Sequence, residues 1–233
     1  MGSVTYATRA FYRAVRSHSA NPMLPAATLR EAEQHLSRRD RRLAQLIQAN
    51  GPCTLGRSRR DPFHVLCRSI IGQQLSLKAA DTIQARIAAA VRAGTKFMPG
   101  HFLDAEPELL RGAGLSRAKC RWLIALAQAV HGGELDFRKL RRMDDETAIT
   151  TLDALPGIGR WTAEMFMIFA LDRLDIFSMG DVGLRRSLDK LHNCGVKLDD
   201  DKALKITRRW APYRSVASWY LWRMVDGDSD SWG

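Results

Sequence analysis

Apolar residues recur at helical spacing through nearly all of this chain, and no run alternates polar with apolar residues between hairpin turns, so an all-α fold is expected. Asp61-Pro62 offers an N-cap followed by proline at the first helical position, and Phe63, Leu66, Cys67, Ile70 and Ile71 then follow the i, i+3, i+4 spacing of one buried face. Ser76 can start the next helix, with Leu75, Ala79, Ile83 and Ile87 in line and Gly94 beyond its end. Leu115, Ala118, Trp122, Ala125 or Leu126, and Ala129 mark another, stopped by Gly132-Gly133. There is no internal repeat and no low-complexity tract.

With 233 residues, 45% of them hydrophobic, the chain can bury a substantial core as one domain or two small ones. Its 36 Lys plus Arg against 25 Asp plus Glu give a formal charge of +11, which favours a polyanionic partner. No run has the apolar length needed to span a bilayer, and the N-terminus lacks the apolar core of a secretory signal. The expectation is therefore a soluble cytoplasmic protein that meets nucleic acid rather than a membrane. The cysteines at 53, 67, 120 and 194 are scattered without a Cys-x-x-Cys pair, which argues against zinc and against an iron–sulfur cluster; Cys67 reads as core. Arginine-rich stretches at 38–42 and 57–60 are read as solvated helix faces in preference to DNA contacts. Residues 1–20 and 227–233 are expected to be loosely held.

Two segments carry chemistry. In Leu155-Pro156-Gly157-Ile158-Gly159-Arg160-Trp161-Thr162-Ala163, two glycines flank Ile158 and allow a tight turn whose bare backbone can approach a phosphate closely. Trp161, Met165 and Ile168 then open a helix, and helix N-termini bind anions because their first N–H groups lack internal partners. Gly157, Gly159 and Thr162 are the candidate phosphate contacts, against the plainer reading of an ordinary turn between helices. Downstream, Met179-Gly180-Asp181-Val182-Gly183-Leu184 presents an exposed-looking acid, Asp181, which is either a catalytic carboxylate or simply the N-cap of the helix that follows.

The order of these two signals resembles the helix-hairpin-helix DNA glycosylase superfamily. Ser69-Ile70-Ile71-Gly72-Gln73-Gln74-Leu75-Ser76-Leu77-Lys78-Ala79-Ala80 is similar to the pre-hairpin stretch of its 3-methyladenine DNA glycosylase II branch. Trp210-Ala211-Pro212-Tyr213-Arg214-Ser215-Val216-Ala217-Ser218-Trp219-Tyr220-Leu221-Trp222-Arg223 is similar to that branch's C-terminal helix, so the likeness spans about residues 60–225. It implies two helical lobes, 61–174 and 21–60 with 175–226, with the active site in the cleft between them and without the N-terminal β-domain of longer relatives.

The resemblance also implies roles. Asp181 takes the position of the carboxylate that stabilises positive charge on the sugar or activates water. Trp161 stands where members that also cut the DNA backbone place a Schiff-base lysine, which implies base release without strand cleavage. Trp161 and Trp222 match aromatic residues facing the base pocket, while Trp219 and Tyr213 read as core. Gln73-Gln74-Leu75 falls where the superfamily inserts a wedge into the minor groove; Gln74 is favoured, without a clean separation from Leu75. The carbonyls of Asp153, Leu155 and Ile158 resemble those that hold an alkali cation, Na+ or K+, between hairpin and phosphate. The implied protein is a monomeric, monofunctional glycosylase that excises alkylated bases such as 3-methyladenine and 7-methylguanine from double-stranded DNA. The alternatives are a glycosylase for uracil, oxidised or mismatched bases, and a non-catalytic hairpin module in which Asp181 is only a cap.

Overall fold

Short polar side chains start most of the helices. The computed structural model describes residues 24–56 and 61–226, in which every regular element is helical. In chain order these are α1 (Ala26–Arg39), α2 (Arg41–Asn50), α3 (Pro62–Gly72), α4 (Leu77–Ala90), α5 (Gly100–Leu103), α6 (Pro107–Gly112), α7 (Arg117–His131), α8 (Phe137–Leu140), α9 (Asp145–Asp153), α10 (Arg160–Ala170), α11 (Val182–Asn193), α12 (Asp200–Arg208) and α13 (Arg214–Asp226). Asp61, Ser76, Ser116 and Asp144 each accept a backbone N–H two to three residues into α3, α4, α7 and α9, satisfying donors the helix cannot.

The chain forms two compact units: 61–171, and 24–56 together with 172–226. The division falls three residues before the expected one, because Leu174 O accepts from Ser215 N (2.9 Å) and Asp175 pairs with Arg214 (2.8 Å), which ties this linker to α13.

In the first unit α3 is central, packing against α4, α7 and α10. Its buried face comprises Phe63, Val65, Leu66, Cys67, Ile70 and Ile71. Each such side chain fully removed from water contributes on the order of 1.5–3 kcal/mol. Phe63, Phe97 and Phe102 form an aromatic cluster with ring centroids 5.4–6.1 Å apart. The buried face of α7 is Cys120, Leu123, Leu126, Ala127 and Ala129, rotated from the expected line, and Trp122 stands half-buried on its flank. Helix α4 ends at Ala90 with Gly94 beyond it, as expected, but only Ile87 of its anticipated face is fully buried.

In the second unit α13 packs against α1, α2 and α11. Residues 215–222 are all buried, as expected of a helix apolar nearly all round. Its polar anchors are specific: Tyr220 Oη lies 2.7 Å from Glu33 Oε1 and 2.9 Å from Gly51 O. Asp40 is buried and caps α2 through the N–H groups of Arg42 and Leu43, while its second oxygen receives Trp210 Nε1 at 2.9 Å and lies 3.2 Å from His192 Nε2. Burial alone would raise its pKa, yet the nearby His192 imidazole and the hydrogen bonds from Trp210 and Leu43 hold it well below the usual carboxylate range.

Among the described residues no helix is long and apolar enough to cross a membrane, and no group of three or more His, Cys, Asp or Glu side chains could hold a metal ion. Cys53, Cys67 and Cys120 are buried and Cys194 is exposed, and none of the four is in a disulfide. The stretch 38–42 lies at the junction of α1 and α2, with Arg42 donating to Leu191 O (3.0 Å); residues 57–60, 1–20 and 227–233 lie outside the described residues.

Candidate active site

The hairpin joins α9 to α10 through residues 154–159. Two backbone bonds close it, Leu155 N to Leu152 O (3.0 Å) and Ile158 N to Leu155 O (3.1 Å), and buried Ile158 pins it to the core. Gly157 sits at φ 84, where a side chain is strained, and a Cβ there would stand 2.4 Å from Trp122 Cδ2. The indole under the turn is therefore that of Trp122, from α7. Periodicity places Trp122 only on the buried face of its own helix, because Gly157 is thirty-five residues away in sequence.

Gly159 differs in kind from Gly157. It N-caps α10 with no side chain to satisfy the first N–H groups, and a Cβ there would meet nothing within 4 Å. The turn thus ends in an exposed, uncapped helix N-terminus that suits a phosphate oxygen. Thr162 is buried, so the exposed residues here are Gly159 and Arg160. Arg160 is held by a bidentate pair with Glu146 (2.6 and 2.8 Å) and a bond to Glu164 (3.1 Å), clipping α10 to α9. Trp161 is half-buried in the first turn of α10, and Asp153 is exposed at the end of α9.

The Gln73-Gln74-Leu75 turn belongs to the same unit. Gln73 Nε2 donates to Gly157 O at 2.8 Å, joining this turn to the hairpin. Gly72 O accepts Leu75 N (3.2 Å), and Gln73 (φ −53, ψ 131) followed by Gln74 (φ 59) gives the backbone of a type II turn. That turn favours glycine where Gln74 stands. Gln74 is exposed and Leu75 half-buried, so the three residues are not equivalent: Gln73 is engaged, Leu75 partly covered and Gln74 presented.

In the second unit Asp181 N-caps α11, its Oδ1 accepting Leu184 N at 2.8 Å, and Trp222 Nε1 lies 3.4 Å from the same oxygen. The acid that looks exposed in sequence is 0% exposed. A Gly-Asp pair before a helix predicts the cap but carries no information about α13, forty residues on, which brings Trp222 to it. Trp222 is itself buried, as is Trp219, which meets Tyr220 edge to face at 4.8 Å with Arg223 over its ring at 5.0 Å. Tyr213 is half-buried against His35, ring centroids 5.3 Å apart. The structure thus brings Gln73 to Gly157 in one unit and Trp222 to Asp181 in the other.

An all-helical chain with a glycine hairpin opening one helix and an N-cap carboxylate opening the next long one has the make-up of a helix-hairpin-helix protein. Residues 67–212 match the HhH-GPD superfamily of base excision DNA repair proteins, and the chain belongs to that family. It is similar to DNA-3-methyladenine glycosylase 1 of Schizosaccharomyces pombe, with 33% identity over 199 residues, covering 84% of this chain and 87% of that protein. Among solved structures it resembles a DNA-3-methyladenine glycosidase from Bacillus halodurans, with TM-score 0.77 and 39% identity over 83% of this chain and 88% of that one. It also resembles the S. pombe 3-methyladenine DNA glycosylase Mag1 in complex with abasic DNA, with TM-score 0.72 and 31% identity over 87% of this chain and all of that one.

Proposed function

We propose that this protein is a monofunctional DNA glycosylase that excises alkylated bases from double-stranded DNA, acting as a monomer in base excision repair. The observation that carries the reading is the buried carboxylate of Asp181, fixed by the Leu184 N–H and accompanied by the indole of Trp222, in a chain whose relatives are named for 3-methyladenine removal. As the bond between base and deoxyribose lengthens, positive charge builds on the sugar, and a preoriented carboxylate stabilises it without having to reorganise. Water then completes the substitution. Trp161 supplies no amine, so no Schiff base forms at that position and the product is an intact strand bearing an abasic site. Purines methylated at N3 or N7 are cationic with a weakened glycosidic bond, which suits the π-faces of Trp161 and Trp222.

Gly157 and Gly159 hold a phosphate, and Gln74 enters the space the extruded base leaves. The reading gives Gln73 and Leu75 the support of that residue, and Thr162 a place in the same first turn of α10. Carbonyl oxygens are the donors a hard alkali cation takes; those of Asp153, Leu155 and Ile158 would hold it, the Leu155 oxygen keeping a lone pair beyond its bond to Ile158 N, and the ion would bridge the turn to a phosphate.

The test is incubation with an end-labelled methylated duplex. Free 3-methyladenine and 7-methylguanine are expected, with the strand uncut until alkali is added and no adduct trapped by borohydride. A borohydride adduct would overturn the monofunctional reading. Faster release of uracil or 8-oxoguanine than of 3-methyladenine would move the protein to another substrate class.

A further inference from the structure

Two turns are fixed to one face of α7. Lys119 lies in its first turn and Trp122 one turn further, and neither serves α7 itself. The Lys119 ammonium donates to Ile71 O at 2.8 Å and to Gln73 O at 2.6 Å, the last carbonyls at the C-terminal end of α3. Those oxygens lack helical donors and carry the negative end of the α3 dipole, so a cation there is favourable. At the start of its own helix the same cation is unfavourable, and burial pushes its pKa down from the usual lysine value. The side chain is thus held where both its own helix and its solvation oppose it, and the compensation lies wholly in the turn it caps.

That turn carries Gln74 at φ 59, a conformation costing a non-glycine residue on the order of 1 kcal/mol or more, which persists only when its surroundings impose it. The surroundings are Lys119 on the Gln73 carbonyl and the hairpin on the Gln73 side chain, Gln73 Nε2 donating to Gly157 O at 2.8 Å. Gly157 in turn rests on Trp122. The two turns and the helix under them form a closed ring: Lys119 to Gln73, Gln73 to Gly157, Gly157 to Trp122.

We infer that Lys119 is a positioning residue for base extrusion, locking the turn that projects Gln74 and, through Gln73, setting it at a fixed distance from the phosphate-binding hairpin. The inference rests on the glycosylase reading in taking Gln74 as the inserting residue. When the hairpin engages a phosphate, Gln74 is then presented at a defined offset from it, and phosphate grip and base extrusion become one event. Lys119→Met removes both hydrogen bonds while keeping most of the aliphatic stem; Lys119→Arg keeps a cation that can donate to both carbonyls.

The experiment reads extrusion separately from chemistry. Fluorescence of a single 2-aminopurine opposite cytosine in a duplex reports unstacking without bond cleavage, and single-turnover release of 7-methylguanine is compared between a paired duplex and a one-nucleotide bulge, where the base is already unstacked. With Lys119→Met, the fluorescence rise and paired-duplex release should fall on the order of tenfold to a hundredfold, as for other small misplacements of a functional group. Release from the bulge should be spared, Lys119→Arg should restore most of the loss, and in a Gln74→Ala background Lys119→Met should add nothing. Equal losses on paired and bulged substrate, or losses that multiply in the double variant, would overturn the inference in favour of a general structural role, as would a wild-type protein that gives no fluorescence rise. A wild type that unstacks 2-aminopurine yet releases no base would instead defeat the glycosylase reading, with the Lys119 effect on fluorescence still deciding this one.

Discussion

At the residue scale, Asp181 is the position for which the sequence leaves a helix cap and a catalytic carboxylate as alternatives. It is the N-cap of α11 and also the acid beside Trp222, and both uses fall on Oδ1. This makes Asp181→Asn unusually informative, because asparagine caps helices as well as aspartate does and can accept from the Leu184 N–H while carrying no charge. The variant should melt within a few degrees of the wild type and still bind duplex DNA with an abasic site. Its single-turnover base release should fall on the order of a hundredfold or more, the usual effect of losing a preoriented electrostatic group. Near-normal release would return Asp181 to the status of a cap. The cap was legible because it follows from three consecutive residues, whereas burial and the Trp222 contact depend on α13 and leave no local mark. Lys119 did leave one: a lysine three residues after an N-cap serine opposes its helix dipole and calls for a distant acceptor.

At the element scale, helix existence and starts were legible, and helix faces less so. The caps of α3 and α4 stand at Asp61 and Ser76, since an N-cap needs only its own side chain and the next N–H groups. The face of α7 was displaced because Cys120 and Leu123 lead into the core while Trp122 turns aside to support the hairpin, and periodicity counts a tryptophan as core wherever it points. The hairpin itself separates fold from function at two glycines. Gly157→Ala forces a Cβ against Trp122 at a positive φ and should cost on the order of 2–4 kcal/mol in stability. Gly159→Val meets open space and an ordinary φ, so it should fold normally yet weaken binding to every duplex alike, because its backbone approach to phosphate is blocked without any change in base readout. Thermal melts beside fluorescence-anisotropy titrations decide the matter: loss of stability at Gly159, or a change in base preference there, would remove the phosphate role.

At the scale of the whole molecule, charge and titration set the working conditions. A formal charge of +11 favours binding to a duplex of any sequence. Acid stability turns on two named groups with separate windows. His64 Nδ1 accepts the Phe97 N–H at 3.0 Å, and burial, with the nearby Arg68 charge, lowers its pKa from 6.5 to about 4. The unfolded chain therefore binds a proton at this site between about pH 6.5 and 4 while the native protein does not, so His64 contributes stability above pH 6.5 that is lost as pH falls to 4. Asp40, held well below its usual 3.8, contributes stability that is lost only below that value, when the carboxylate capping α2 and receiving Trp210 must be protonated. Asparagine at position 64 offers Oδ1 as an acceptor for the Phe97 N–H and does not titrate. His64→Asn should therefore flatten the melting temperature between pH 6.5 and 4 while leaving the steeper fall below pH 3.8 in place. Melting curves measured across both windows check this, and an unchanged slope between pH 6.5 and 4 would show that the Phe97 bond is not what proton uptake breaks.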